Sequence, residues 1–198
     1  MSQTLSQRLK GETAAQHERM HQLMERAQPF ASRERYASFV AAQYLFQRDV
    51  EHFFDLPQMK NLVADLDTRG RTQAALADLA DLGAPAPAQT PVVTAEVKLP
   101  EALGWLYVSE GSTLGAAFLL KEVGEKLGLD AHFGARNLAA YPDGRARAWK
   151  RFVEALDAPA LAGSHDAVVA GALQAYARFG DLLAHHFDLQ AADATAAA

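Results

Sequence analysis

Between Leu103 and Val123 the chain has the apolar content of a buried helix, yet it carries Gly104, Gly111 and Gly115. At 100° per residue these glycines fall within about 40° of one another and leave a bare stripe down one face. Each costs about 0.8–1 kcal/mol relative to alanine in a helix interior. A helix that keeps three on one face needs its backbone close to something there, either a neighbouring helix or a planar ligand. The rest of the chain must supply the partner surface.

The other segments also read as helices. Leu5, Leu9, Met20, Leu23, Met24 and Ala27 recur at helical spacing and predict one amphipathic helix over 5–27. Pro29 ends it, and Ser32 is placed to cap a second long helix reaching about Phe54. Short helices are expected near Gln58–Ala64 and from Thr72 to Leu82, and longer ones from about Gly144 or Arg145 to Leu156 and from about Asp166 to Phe187. Gly124 and Gly128 loosen the end of the glycine-striped helix, and 132–142 reads as short and irregular. No alternating strand pattern or internal repeat is present, so the fold class is all-α. The loop 83–94, with Pro85, Pro87 and Pro91, joins two halves of one core, since neither half has enough helices to close a core alone. One domain over 1–189 is expected, followed by a frayed tail over 190–198.

At 198 residues and 49% hydrophobic, the chain can bury one sizeable core. A net charge near −5 gives no basic footprint for nucleic acid. The absence of cysteine excludes disulfides, iron–sulfur ligation and cysteine-containing zinc sites, and it suits a reducing compartment. The N-terminus lacks the apolar centre of a signal peptide, and no run reaches the roughly 18 apolar residues of a membrane span. A soluble cytoplasmic protein is expected, and a monomer for want of a long exposed apolar seam.

Seven histidines raise the question of metal. His17 and His21 stand four apart, a spacing at which both can bind one ion. The paired Glu-x-x-His motifs of di-iron bundles and the His-Glu-x-x-His motif are absent, and His185 with His186 reads as a solvated helix end. His17 alone is compatible with a structural role. Its pairing with a glycine stripe adds another reading, because heme needs one axial imidazole, an apolar slot two helices wide, and cations at its propionate edge. Lys10 lies seven residues before His17 on nearly the same face, about 10 Å along a straight helix.

Several runs then carry a specific likeness. Ser109–Leu119 (SEGSTLGAAFL), with EALGWLYV just before it, resembles the distal helix of bacterial heme oxygenases, and ETAAQHERMH around His17 resembles their proximal helix. Pro29–Gln47, Ala77–Gly83 and Arg178–Leu183 continue the resemblance in order. It implies a single-domain fold with heme b, both substrate and cofactor, between proximal and distal helices. His17 is then the axial ligand to iron, Gly111 and Gly115 the distal backbone against the heme, and Arg71 an organiser of distal water. Lys10 and Tyr107 match residues that hold a propionate and set how heme sits, and Phe179 and Lys150 complete the heme contacts. Relatives that open the ring elsewhere use lysines at places held here by Glu25 and Glu122, so cleavage at the α-meso carbon is implied.

Two positions depart from the family pattern. His21 stands where a glutamate often follows the axial histidine, leaving Glu18 or water as its partner, and Thr113 stands where many members carry a distal aspartate. The implied reaction uses O2 and external electrons to yield biliverdin, CO and ferrous iron, with the flat Gly111–Gly115 wall directing oxygen to one meso carbon. The sequence shows no flavin or nicotinamide fingerprint, so a ferredoxin, a flavodoxin or a ferredoxin reductase is the expected donor, and a phytochrome is a candidate acceptor of biliverdin. A heme carrier or sensor with the same pocket, and a helical interaction module in which the glycines only pack, are the rival readings.

Overall fold

The computed structural model describes residues 3–141 and 144–189. The expected tail over 190–198 lies outside them. Eight α-helices are present among the described residues: α1 (Leu5–Glu12), α2 (Ala14–Ala27), α3 (Arg33–Glu51), α4 (Pro57–Leu62), α5 (Thr72–Asp81), α6 (Glu101–Leu127), α7 (Arg145–Leu156) and α8 (His165–His186). Short 3-10 turns join several of them, and no strand occurs among these residues. No helix is long and apolar enough to cross a membrane, again among the described residues.

The predicted first helix is two. The chain breaks at Thr13, whose φ and ψ are −103° and 5°. Its hydroxyl bonds back to the Leu9 carbonyl at 2.8 Å, a contact that bends helices, and helix-poor Gly11 precedes it. Lys10 and His17 therefore lie on different helices, and the 10 Å estimate along one straight axis does not hold. By contrast, α6 runs longer than expected. It passes through Gly124 and stops at Gly128, where φ is +65° and the Arg33 guanidinium holds the Leu127 carbonyl at 2.8 Å.

The core lies where α3, α6 and α8 meet. Phe46 stacks on Trp105 at 6.1 Å and meets Phe179 at 5.3 Å, while Phe39, Val50, Phe53, Leu103 and Leu106 are buried around them. The closest approach is between α6 and α8. A Cβ on Gly104 would lie 2.0 Å from the Val168 carbonyl oxygen, and one on Gly171 would lie 2.0 Å from that of Glu101. The first glycine of the stripe thus answers to a helix crossing, with a partner glycine on α8.

The far end of α8 differs from its expected solvated state. His186 is half-buried beside the start of α3 and the 83–88 loop, and burial lowers its pKa, with His185 adding to the effect.

Candidate functional site

Two independent contacts set α2 and α6 side by side. At one end the Tyr107 side chain lies beside that of Thr13, at the α1–α2 break. At the other, Met24 and Glu25 of α2 and Gln28 just beyond it share a recess of about 470 Å³ with Leu119, Glu122 and Lys126 of α6. Thr13 to Met24 and Tyr107 to Leu119 are nearly equal runs, about 16–18 Å at 1.5 Å per residue, so the two helices travel in the same general direction between these points.

The side chains agree with this arrangement. His17 and Met24 fall within about 20° on α2, so His17 shares the flank on which Met24 meets the recess beside Leu119. The imidazole is exposed, with the His21 ring 4.7 Å away. Across from it, a Cβ on Gly115 would meet nothing within 4 Å. A Cβ on Gly111 would touch only the Trp149 ring, at 3.8 Å. The stripe therefore divides, with Gly104 against a helix and Gly115 facing open space.

Helix α8 passes beneath both helices. Gly180 admits Met20, whose terminal methyl would lie 3.1 Å from a Cβ built there, and neighbouring Phe179 joins the aromatic group of Phe39 and Phe46. Tyr107 packs against Trp149 at 5.6 Å, Lys150 follows Trp149 and is exposed, and exposed Lys10 lies three residues before Thr13. Ser6 ties α1 to Asp157 just beyond α7, at 2.7 and 2.8 Å. Burial raises the Tyr107 pKa, and the neighbouring Thr13 side chain opposes the rise. The opposite mouth bears Glu25 and Glu122, with Lys126 bound to Glu122 at 2.6 Å.

Arg71 stands behind the wall. Its guanidinium donates to the Ser109 carbonyl and hydroxyl, both at 2.8 Å, and Ser109 passes a bond to Gln47 at 3.2 Å. Burial lowers the Arg71 pKa, opposed by the charge of Glu110. Its Nε is buried without a hydrogen-bond partner. Thr113 is buried, and its hydroxyl donates to the Glu110 carbonyl at 2.6 Å, so it is engaged by its own helix.

Sequence reasoning missed three features here. Leu114 and Phe118, 38% and 77% exposed, border the open glycine face. They sit three and seven residues after Gly111, a spacing visible in the sequence but indistinguishable from core apolar residues. Trp149 and the buried charges Arg69 and Glu110 were likewise unseen. A glutamate inside an apolar helix was the available signal.

Comparisons with known proteins identify the family. The family model described as Heme oxygenase matches residues 3–185. Heme oxygenase PigA of Pseudomonas aeruginosa is 50% identical over 184 residues, covering 92% of each chain. The NO- and CO-bound heme oxygenase of Neisseria meningitidis superposes with a TM-score of 0.85 at 36% identity, covering 96% of this chain and 95% of that one. Heme oxygenase from Leptospira interrogans, at 18% identity, shares the fold with a TM-score of 0.75 over 92% of this chain and all of the other. With a family match along nearly its whole length and a relative 50% identical over 92% of both chains, the chain belongs to the heme oxygenase family, the oxidoreductases that degrade heme.

Proposed function

We propose that the protein opens heme b at the α-meso carbon, giving biliverdin, CO and ferrous iron from O2 and externally supplied electrons. The observations that carry this reading are an exposed His17 imidazole on α2, bare open backbone at Gly115 on α6, and the carboxylates of Glu25 and Glu122 where the two helices share a recess. The residues fit such a group. Among the described residues no cluster of three or more His, Asp or Glu side chains could hold a bare metal ion, whereas one imidazole suffices for iron already held by a porphyrin. Bound heme would supply the iron that activates O2 and the ring that is oxidised.

The chain's own residues supply orientation. His17 ligates from α2, Gly111 and Gly115 bring α6 close to the ring, and Phe179 underlies the slot. Lys10, Tyr107 and Lys150 receive propionates, while Glu25 and the paired Glu122 repel them from the other mouth. Arg71 holds the distal helix from behind and keeps one buried N–H for distal water. Heme is thereby seated one way, and positioning selects the carbon attacked. A ferredoxin, a flavodoxin or a ferredoxin reductase is the proposed electron source, and a phytochrome a proposed recipient of the bilin.

Combining Lys10→Asn with Tyr107→Phe is expected to let heme reseat and to turn one biliverdin isomer into a mixture, measured by chromatography after turnover with ascorbate or a ferredoxin system. A single α product from the double variant would rule out these propionate contacts. A persistent Soret band in the parent protein, with no bilin absorption, would instead mean a heme carrier.

A further inference from the structure

Beside the wall lies a buried ionic cluster that the heme contacts do not use. Glu110 is 1% exposed and forms an ion pair with Arg69, whose side chain is fully buried. Arg69 also donates to Asp65 at 2.8 Å and to the Ala148 carbonyl at 3.2 Å. Asp65 in turn accepts from Arg151 at 2.8 Å. The Tyr141 hydroxyl donates to Glu110 at 2.7 Å, and its ring lies 5.8 Å from the Arg69 guanidinium. The links run from α7 through Asp65 and Arg69 to α6, and Tyr141 closes them just before α7 begins.

Stability alone accounts poorly for this cluster. Apolar side chains of similar volume commonly stabilise a core as well as a buried ion pair does. Tyr141 also adopts a φ of +59°, unfavourable for a residue with a Cβ. Its hydroxyl stays a donor, because burial first and Glu110 second raise its pKa. What directional bonds provide and apolar packing does not is register. Arg69 grips the carbonyl of Ala148, the residue before Trp149, and Trp149 is the side chain that meets Tyr107 and Gly111.

We propose that Glu110, Arg69 and Tyr141 are positioning residues: they fix α7 on α6 so that Trp149 closes the Tyr107 end of the slot and heme is held in one orientation. The role in heme seating rests on the slot reading above, whereas the placement of Trp149 does not.

The test uses the full chain in a Trp105→Phe background, where Trp149 is the remaining indole. Tyr141→Phe keeps the ring and removes the hydroxyl. The expected result is a red-shifted Trp149 emission in the heme-free protein and a rise of about fivefold in minor biliverdin isomers, the factor that one ordinary hydrogen bond is worth. Unchanged emission, or unchanged isomer ratios in a protein that merely melts earlier, would overturn the proposal. Should that variant not fold, Arg69→Met with Glu110→Met is read the same way. If the background protein leaves heme intact, the slot reading fails, while the emission still decides where Trp149 sits.

Discussion

His17→Ala is expected to fold normally and to lose heme degradation by about 100-fold or more, equivalent to about 2.7 kcal/mol in the barrier. The fold should tolerate the change because the imidazole is exposed and makes no core contact, so truncating it leaves no cavity. The reaction should not, because the proximal histidine determines where iron sits and how it is poised. The ferric spectrum of the heme complex should shift, and added imidazole should restore part of it. The neighbouring ring makes the control informative. The His21 ring lies 4.7 Å from that of His17. His21→Ala should keep the parental spectrum; if it instead abolishes the coordinated form while His17→Ala does not, the axial ligand is His21.

The helices were legible because apolar periodicity and punctuation agree in this chain. Pro29 with Ser32, Pro57 and Gly128 all stand within a few residues of the ends they signal, and α7 begins at the expected Arg145. The break at Thr13 was not legible, because the apolar pattern continues across it and the cause is a side chain bonding to its own backbone. A similar limit applies at the site. His17, Lys10 and Tyr107 are chemically conspicuous, and the family resemblance gave them roles. The Arg69–Glu110–Tyr141 cluster joins positions 69, 110 and 141, far apart in sequence and adjacent only once α6 and α7 have packed. Thr113, which stands where many members carry a distal aspartate, has its hydroxyl engaged by the Glu110 carbonyl of its own helix.

The glycine stripe yields the sharpest contrast, since neighbours in one pattern should respond with opposite signs. Gly104→Ala places a methyl 2.0 Å from one backbone oxygen of α8 and 2.4 Å from the Ala172 nitrogen, where no side chain can swing aside. A loss of about 4 kcal/mol or more is expected, lowering Tm by roughly 8–16 °C in a chain of this size. Gly115→Ala meets nothing within 4 Å and replaces a poor helix former by the best one. It should raise Tm of the heme-free protein by about 2–4 °C, from a gain of about 0.8–1 kcal/mol. The larger Gly115→Leu should also fold, yet it should weaken heme binding and cut turnover by intruding where the ring must lie against backbone. Thermal melts of the apo proteins and heme titrations separate the two roles. If Gly115→Ala melts as early as Gly104→Ala, or Gly115→Leu turns over heme at the parental rate, Gly115 packs a helix and the open face is not the wall of the slot.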